Sequence, residues 1–534
     1  MNIPKLLWFA VLAGIVMACK SDYLEDFDEI NFRYNADLAI PVGKALYNFE
    51  DLIEDLDSTV IVSENNENVV VFSIIDTLDP EFIRDYIEFE DQFFEGDLTF
   101  PNDILIPEPI EIIVSQDNSY EVETQNNALV DSVEIREGVI NISARNTTSS
   151  RANIQFSFWS LTENTGDTIE VLLENVSGGQ FVSDQIDLSG ALLNLTDGGT
   201  STNTFTYEVT LSVFTEGTPI LAGQGVEYDV NTTDFQYEAA YGYMGNYEVS
   251  VNPDPVEVDF FENFLAGSYY FAEPYVNLSI STNVGVEAEF IIDDFTAFDA
   301  DGFPVASLEG KIINNPPRLE GPSLEEFGSF IDNNILIDVN NSNIDEIVSS
   351  FATLYEISAT VATNPDMDPT ARNFATYDGV FETIYEIGIP AHFNMDSLVL
   401  DEAIEWDDLD TEDAESITLF LDTRNEFPMG SFMQGVFVDD FGNPLDFLFD
   451  DFTQIVGPAP VNAQGFSTGE ETALTEVLLD RAKLDRINGA AELRLLLILN
   501  TTDIANDQLI KITPENEIDI DVRALIEVNT DTSN

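Results

Sequence analysis

The chain contains one cysteine, Cys19, and one histidine, His392, among its 534 residues. Thiol and imidazole groups commonly supply the nucleophiles, general bases and zinc ligands of protein sites. A single copy of each excludes zinc sites built from several cysteines or histidines. No Gly-x-Ser-x-Gly elbow accompanies His392, so we interpret this residue as an ordinary strand residue rather than as the base of a Ser-His-Asp triad.

Carboxylates are the abundant reactive groups, with 101 Asp and Glu residues against 18 Lys and Arg residues. Two acids roughly 5–10 Å apart are enough for glycoside hydrolysis, so a polysaccharide-acting enzyme stays an alternative. We predict that no cofactor is bound and that the acids of the loops face water. A loose calcium site is the alternative. An EF-hand is excluded because Ala297 and Leu308 stand where its ligands belong. The candidate calcium ligands are Asp293, Asp294, Asp299 and Asp301, or Asp407, Asp408 and Asp410.

Cys19 follows an apolar run, residues 6–17, that is shorter than the ~20 residues a membrane-spanning helix needs. Val16-Met17-Ala18-Cys19 resembles the lipobox of bacterial lipoproteins. The resemblance implies that residues 1–18 are a cleaved signal peptide and that Cys19 carries the lipid anchor, a diacylglycerol with fatty acids such as palmitate. A lipidated Cys19 would leave no thiol for a disulfide or for a Cys-His dyad.

The residues after Cys19 form a polar, acidic run, 20–29, that resembles the export signal of surface lipoproteins of the Bacteroidota. This resemblance implies an outer-membrane protein that faces outward, and a solvated acidic tether is the alternative. The formal charge of −83 repels nucleic acid and anionic lipid headgroups. We therefore expect no nucleic-acid partner.

Apolar and polar residues alternate over long stretches, which is typical of half-buried antiparallel strands. Residues 205–213 alternate without a break. The same period recurs at Ile140/Ile142/Ala144, Ile154/Phe156/Phe158, Val276/Leu278/Ile280, Ile335/Ile337/Val339, Tyr355/Ile357/Ala359/Val361 and Ile518/Ile520/Val522/Ala524. We predict a mainly β protein of several antiparallel β-sandwich or curved-sheet domains, with a few short helices and one longer C-terminal helix.

That longer helix is predicted at 470–488. Thr468 to Glu471 fits a capping box, Leu474, Val477 and Leu478 form an apolar stripe at helical spacing, and Gly489 suits its end. The apolar run 493–499 after it is predicted to be a strand buried on both faces. Residues 48–53 and 323–327 are predicted to be short capped helical turns.

Composition and Pro- or Gly-containing breaks divide the chain into six predicted segments. They are a signal peptide at 1–18, an acidic tether at 19–35, a helix-strand unit at 36–100, a β-sandwich at 101–235, a β-rich domain at 236–370, and a C-terminal β-rich domain at 371–534. The segments 299–305 and 439–445 share Asp, Gly and Pro in register. A duplicated β-unit explains this, and so does ordinary hairpin-turn chemistry.

Several strands end in asparagine, at Asn146, Asn283, Asn340 and Asn364. This pattern resembles the β-sandwich of late-embryogenesis-abundant, water-stress proteins, and the C-terminal half is loosely similar to the tubular lipid-binding fold. As a whole, the chain resembles uncharacterised β-rich surface lipoproteins of the Bacteroidota. We expect a non-enzymatic binding or structural component of the cell envelope, whose partners are an envelope complex or an extracellular glycan. A carrier of lipid or another hydrophobic ligand is the alternative.

Overall fold

The computed structural model describes residues 38–48, 60–105, 108–251, 255–257, 264–405 and 414–528. Strands make up 59% of the structure and helical turns 6%, so the predicted mainly β class is confirmed. Within these ranges, no helix is both long and apolar enough to cross a bilayer. The predicted signal peptide, Cys19, residues 49–53 of the predicted helical turn and the acids at 407–410 lie outside the described residues.

A ten-stranded antiparallel sheet forms the first body, the half-barrel, from strands β5 to β13 with one strand added later in the chain. The sheet curls until its end strands β5 and β6 meet, where the Tyr120 hydroxyl donates to the Glu95 carbonyl at 3.1 Å. The strands to this point are β1 (Leu38–Asn48), β2 (Val60–Glu64), β3 (Val70–Thr77), β4 (Glu81–Phe82), β5 (Phe93–Thr99), β6 (Ile110–Glu121), β7 (Leu129–Asn146), β8 (Arg151–Thr162), β9 (Thr168–Val176), β10 (Phe181–Asp187), β11 (Leu192–Asn194), β12 (Thr204–Thr215) and β13 (Gly225–Tyr243), with a 3-10 turn at Ile83–Asp85.

The next strands form a first sandwich, which we name the first repeat (β17–β22 and β24). One of its sheets places β17 between β21 and β24, and the other places β18 between β19 and β22. Its elements and their neighbours are β14 (Glu248–Val251), β15 (Val256–Glu257), β16 (Phe264–Phe271), β17 (Tyr275–Thr282), β18 (Ala288–Phe298), β19 (Pro304–Ser307), α1 (Lys311–Asn314), β20 (Arg318–Leu319), a 3-10 turn (Leu324–Glu326), β21 (Ile331–Ile337), α2 (Ile344–Val348), β22 (Leu354–Thr363), β23 (Asn373–Thr376) and β24 (Val380–Pro390).

The second repeat (β26–β31 and β33) has the same strand order. Here β26 lies between β30 and β33, and β27 lies between β28 and β31. In both repeats, a short helix directly precedes the strand that pairs with β18 or β27, the first strand of a hairpin. The elements are β25 (His392–Glu405), β26 (Ala414–Asn425), β27 (Met429–Val438), β28 (Pro444–Phe447), β29 (Thr453–Val456), β30 (Glu471–Asp480), α3 (Arg481–Ile487), β31 (Glu492–Thr501), a 3-10 turn (Ile504–Asn506), β32 (Ile510–Lys511) and β33 (Glu517–Val528).

The similar segments seen in the sequence are the equivalent hairpins of these two repeats. Phe298 pairs with Pro304 in the first hairpin and Val438 with Pro444 in the second, each followed by the same one-residue register shift. Asp299 Oδ1 accepts from the amides of residues 301 and 303, as Asp439 Oδ1 does from those of 441 and 443. The same turn also occurs at Asn65 and Asn462, outside this pair. Turn chemistry thus explains the local sequence, and the shared strand order supports a duplicated unit.

The N-terminal strands complete the sheets of both repeats. β1 pairs antiparallel with β33, and β3 pairs antiparallel with β24, the equivalent strand of the first repeat. β5 joins the half-barrel through β13. The predicted unit 36–100 therefore supplies strands to three different sheets. One continuous hydrophobic cluster runs through the half-barrel and the first repeat, and a second cluster fills the second repeat.

The alternation predicted for the long strands is confirmed. Every odd-numbered residue from 205 to 215 in β12 is buried, and its even-numbered neighbours are half-buried. Ser323 and Glu326 form the capping box of the 3-10 turn that precedes β21, as predicted for 323–327. The run 493–499 does lie in a strand, but full burial is restricted to one face: Leu493 and Leu495 are buried, whereas Leu496 and Ile498 are half-buried.

The helix predicted at 470–488 is wrong over its first half. Residues 471–480 are the strand β30, and the helix α3 covers only 481–487. Leu474 and Leu478 are 57% and 56% exposed, whereas Val477 is buried, so the three do not share a face. Thr475, Val477 and Leu479 point inward at a spacing of two, because pairing with β26 overrides the helical spacing of the leucines.

The strand-ending asparagines have a structural role that the sequence does not indicate. Asn146 is fully buried, donates to the carbonyls of Ser150 and Val176, and accepts from the Thr148 amide. Asn425 at the end of β26 does the same, donating to the carbonyls of residues 427, 429 and 457 and accepting from the Phe427 amide. Asn340 is exposed. The buried asparagines supply backbone partners where a strand turns a corner.

We predict that Asn425→Ala lowers the free energy of unfolding by about 2–3 kcal/mol, because the substitution leaves buried backbone groups without partners. Asn340→Ala, in an exposed turn after β21, is the control and should change it by less than about 0.5 kcal/mol. Urea unfolding followed by circular dichroism measures both. Equal effects of the two substitutions would contradict the structural role of Asn425.

Candidate functional site

The interior of the half-barrel contains an apolar cavity. Its volume is about 40 Å³, which is room for a few water molecules at most. Strands from every part of the curled sheet line the cavity, and the residues that lead into β5 cover it. The lining residues are Phe89, Glu90, Gln92, Phe94, Val122, Ile140, Leu161, Leu188, Leu193, Leu195, Phe205, Val230, Thr232 and Phe235.

Residues 86–92, which we name the strap, cross the open end of this cavity between the 3-10 turn and β5. Ile87 is buried and anchors the strap, whereas Phe89 packs its ring 5.8 Å from Phe235 and 5.7 Å from Tyr237. The strap has no helix or strand of its own. Its position therefore depends on side-chain packing and on the hydrogen bonds described next.

Gln92 connects the strap to the half-barrel, at β13 and at the end of β6. Its amide donates to Thr232 Oγ1 at 2.8 Å, and its carbonyl accepts from the Thr232 amide at 2.9 Å. Its side-chain oxygen accepts from the Glu123 amide at 3.2 Å, and its side-chain nitrogen donates to the Glu90 carbonyl at 2.9 Å. Glu90 Oε1 accepts from Gln125 Nε2 at 3.3 Å. One residue thus joins the strap to β13 and to the end of β6.

An aromatic cluster fills the rest of the half-barrel and forms one end of the cavity. Phe94 stacks on Phe205 at 5.4 Å, and Tyr120 stacks on Tyr207 at 5.8 Å. The members are Phe94, Tyr120, Phe156, Phe158, Phe205, Tyr207 and Tyr228. A Cβ on Gly96 would lie 2.5 Å from the Tyr228 hydroxyl oxygen, so only glycine lets β5 approach this ring so closely.

A second apolar cavity, the first-repeat cavity, lies between the two sheets of that sandwich. Its volume is about 50 Å³. Both sheets line it, and several of its inward-facing residues, including Leu278, Ile357 and Ile387, are only half-buried. In the second repeat, the residues Leu419, Leu421, Val477 and Leu495 are buried. The two repeats thus share a strand order but differ in how completely their sheets close. The lining residues are Leu78, Val251, Val256, Val276, Leu278, Phe290, Ile292, Phe295, Ile337, Ile357, Ala359, Thr383, Tyr385 and Ile387.

The candidate calcium ligands do not converge. Asp293 and Asp294 lie at a register shift in β18, where they accept hydrogen bonds from Thr360 and Thr296 at 2.7 Å. Asp299 and Asp301 lie at the hairpin tip beyond the end of that strand, where Asp299 holds the turn. Across the described part of the chain, no three His, Cys, Asp or Glu side chains form a group that could hold a metal ion. The calcium hypothesis therefore rests on the sequence alone.

His392 is the first residue of β25, opposite Lys511 of β32. Its Nδ1 lies 3.3 Å from Glu273 Oε2, in a direction that forms no hydrogen bond. Lys511 is buried, forms an ion pair with Glu67 and lies 5.1 Å from the centre of the Phe466 ring. The hydrogen bond from Lys511 lowers the pKa of Glu67. This cluster joins the β2–β3 hairpin to β25 and β32, which fits the interpretation of His392 as a strand residue.

An acid with a raised pKa is what the enzyme alternative requires. Burial, followed by the charges of Glu517 and Glu470, raises the pKa of Glu426. Among the carboxyl groups that the structure describes, only that of Glu426 has a raised pKa. Hydrolysis by a carboxylate pair needs an acid and a base in one cleft. Hydrolysis thus remains a hypothesis from the sequence.

Sequence analysis missed the strap and both cavities. Phe89, Glu90 and Gln92 belong to no motif, and the alternation of strands such as β12 predicts that residues face inward without telling whether they meet other side chains. The sequence did offer one signal, an irregular stretch with two aromatic residues directly before a strand, at 86–92.

Comparison with known proteins assigns no family to the chain: no family model matches it, and no curated protein matches its sequence. Three solved structures illustrate the likenesses. A Parabacteroides distasonis protein described as secreted has 15% identity and a TM-score of 0.30, over 56% of this chain and 91% of that one. The infectious bursal disease virus Gt strain structure has 7% identity and a TM-score of 0.13, over 90% and 83%. The major capsid protein P2 of bacteriophage PM2 has 11% identity and a TM-score of 0.13, over 56% and 98%. Likenesses this weak support no assignment.

We predict that the half-barrel loses stability in alkali. Burial raises the pKa of Tyr207 above its usual range and the pKa of Tyr228 to about 12. Because tyrosines of the unfolded chain ionise near pH 10, stability should be complete below pH 10 and fall as the pH rises towards 12. Melting temperatures measured from pH 8 to 12 test this.

The double variant Tyr207→Phe/Tyr228→Phe should show a shallower fall, since it removes both buried hydroxyls. Tyr377→Phe, outside the aromatic cluster, is the control. If the double variant and the control follow the same pH profile, the buried hydroxyls do not cause the alkaline loss.

Proposed function

We propose that this chain is a non-enzymatic lipoprotein of the bacterial outer membrane that faces outward and acts as a binding component of the cell envelope. The observation that supports this proposal most directly is the pairing of β1 with β33. It joins the segment after the proposed anchor to the C-terminal sandwich. The anchor would thereby hold a folded body rather than a free chain end.

The length of the tether gives this arrangement a scale. Eighteen residues lie between Cys19 and the start of β1 at Leu38, and this stretch spans at most about 65 Å when fully extended. The second repeat would thus stay within that distance of the membrane and carry the first repeat and the half-barrel with it. The net charge of −83 repels anionic headgroups, so the lipid rather than the protein surface would make the membrane contact.

The concave apolar sites that the structure offers for a binding role are two cavities of about 40 and 50 Å³, each of which has room for only a small group. The same observation favours the second candidate function, a carrier of hydrophobic ligands. The half-barrel cavity and the first-repeat cavity have no lining residue in common. A carrier of this design would bind compact ligands at separate sites rather than in one long tube.

We predict that Cys19→Ala releases the protein from the membrane, because it removes the thiol that would bear the lipid. Ser21→Ala, two residues away, is the matched control and should stay membrane-bound. Fractionation of cells that express each variant measures attachment. If the Cys19→Ala protein stays in the membrane fraction, the lipid-anchor proposal is wrong.

Proteinase treatment of intact cells tests the outward orientation. We expect digestion of the wild-type protein on intact cells, with a periplasmic protein as the intactness control. A variant with Asp22, Glu25, Asp26, Asp28 and Glu29 replaced by their amides should remain anchored but become protected. Protection of the wild-type protein until lysis would place it on the periplasmic face and reduce the acidic run to a tether.

A further inference from the structure

We propose that the open edge of β6 adds an antiparallel strand from a partner protein, an extended segment whose outward side chains are basic. The inference rests on the proposed binding role and names a partner class for it. Its test uses the full chain with Cys19→Ala and measures peptide binding. Failure of the peptide test is therefore distinguishable from failure of the membrane test.

One side of β6 has no partner strand. β6 pairs with β12 along its whole length, Ile110–Glu121, without a register shift. In the described part of the chain, β12 is its only ladder partner. The nearby end strand β5 reaches β6 through the Tyr120 side chain rather than through a ladder. An extended segment can therefore approach the side of β6 that faces away from β12.

Backbone hydrogen bonds show which residues form this open edge. The Ile110 amide donates to Thr215 Oγ1 at 3.2 Å, and the Ile110 carbonyl accepts from the same hydroxyl at 3.1 Å. At the other end, the Val122 amide donates to the Asn203 carbonyl at 2.7 Å. Even-numbered residues thus direct their backbone groups towards β12. Because this direction alternates along a strand, the odd-numbered residues of 111–119 direct theirs to the open edge.

The edge of β6 lacks the usual protection against pairing. Natural strand edges are commonly blunted by shortness, bulges, prolines or lysines. β6 has twelve regular residues with no proline, glycine or lysine. Other end strands are less suited, since β5 and β10 have seven residues each, and β9 and β16 shift register. A long regular edge is what strand addition requires.

The outer face of this edge favours a basic strand. Asp117 lies directly opposite Glu208 of β12, and Glu111 and Glu121 are exposed on the same strand. Like charges directly opposite each other repel, and a lysine or arginine beside Asp117 would relieve that repulsion. A second copy of this chain would instead bring more acids and another formal charge of −83. The charges thus disfavour self-pairing and attract a basic partner.

The inner face specifies the other half of the partner strand. Ile112 and Val114 point towards the hydrophobic cluster but are only half-buried at the edge. Aliphatic side chains on the inward face of an added strand would cover them and remove apolar surface from water. The expected segment therefore alternates basic residues, which face outward, with aliphatic residues, which face inward.

The other long and regular end strand, β30, differs in its outer face. Its outward residues include the exposed Leu474 and Leu478, and Glu476 lies opposite Phe420 rather than opposite another acid. This edge offers no like-charge pair for a basic strand to relieve. β30 therefore provides the comparison edge for the experiments.

Calorimetry with a synthetic peptide tests the pairing on the Cys19→Ala chain. The peptide is as long as the segment 111–119 and alternates lysine with valine. In antiparallel addition the lysine amides face β6 and the valine amides face away, since paired residues share a face. Methylation of the lysine amides should therefore weaken binding at least about tenfold, whereas methylation of the valine amides should leave it unchanged. Both methylated forms have the same charge, so general attraction to the acidic chain affects them equally.

Substitutions in β6 locate the binding edge. Ser115→Pro removes an amide that faces the open edge and should weaken the unmethylated peptide at least about tenfold. Ser115→Ala keeps that amide and is the matched control. Thr472→Pro places the same residue in β30. Both controls should leave the affinity unchanged, and circular dichroism checks the fold of each variant.

A pair of double variants tests the charge selection. Asp117→Asn/Glu208→Gln should weaken the peptide about two- to fivefold, because it removes the like-charge pair that the lysines relieve. Glu163→Gln/Glu174→Gln removes two exposed acids elsewhere on the half-barrel and is the matched control. Equal effects of the two double variants would overturn the selection of a basic strand.

The methylated peptides keep the proposal testable if Ser115→Pro fails to fold, because they leave β6 unchanged. Equal affinities of the two methylated forms, full binding to a folded Ser115→Pro chain, or loss of binding in Thr472→Pro would each overturn the assignment to β6. Dimers of the Cys19→Ala chain that the peptide dissociates would show self-pairing and overturn the basic partner.

Discussion

The fold of this molecule depends on backbone hydrogen bonds that complete the edges of its sheets. An exposed strand presents a row of unpaired amides and carbonyls, which must meet water or another strand. In both repeats the strand that needs a partner, β24 or β33, receives it from the first 77 residues, through β3 and β1. The N-terminal region is thus part of the fold of bodies that lie hundreds of residues further along the chain. The same region provides β5, the end strand of the half-barrel, and the strap that crosses it.

The two repeats show how one strand order can acquire different interiors. Their hairpins have the same register shift, the same Asx turn and the same following contact, from the Leu308 amide to the Phe295 carbonyl and from the Leu448 amide to the Gly435 carbonyl. Their described inward-facing residues differ in burial: Leu419, Leu421, Val477 and Leu495 of the second repeat are buried, whereas Leu278, Ile357 and Ile387 of the first repeat are half-buried and line a cavity.

Local sequence was a good guide where one physical effect dominates. The alternation in β12 is confirmed because one face of that strand packs on the aromatic cluster and the other faces outward. The capping box at Ser323 is confirmed because it needs only four consecutive residues. The prediction of a helix at 470–480 is wrong because Leu474 and Leu478 have helical spacing by coincidence, while the inward residues Thr475, Val477 and Leu479 follow the period of a strand. A neighbouring strand, β26, decides between these two patterns, and it lies about fifty residues earlier.

The sequence by itself determined the mainly β class, the inward faces of the long strands and the turn chemistry of the hairpins, since these depend on the periodicity and conformational preferences of neighbouring residues. It also excluded sites with several cysteines or histidines. Only the tertiary structure decided which strands pair, that β1 completes the last sandwich, and that Phe89 and Gln92 cover a cavity. Strand pairing, corner asparagines and cavities depend on segments far apart in the chain. A cavity, moreover, is the space left when such segments pack, and no residue type marks that space in the sequence.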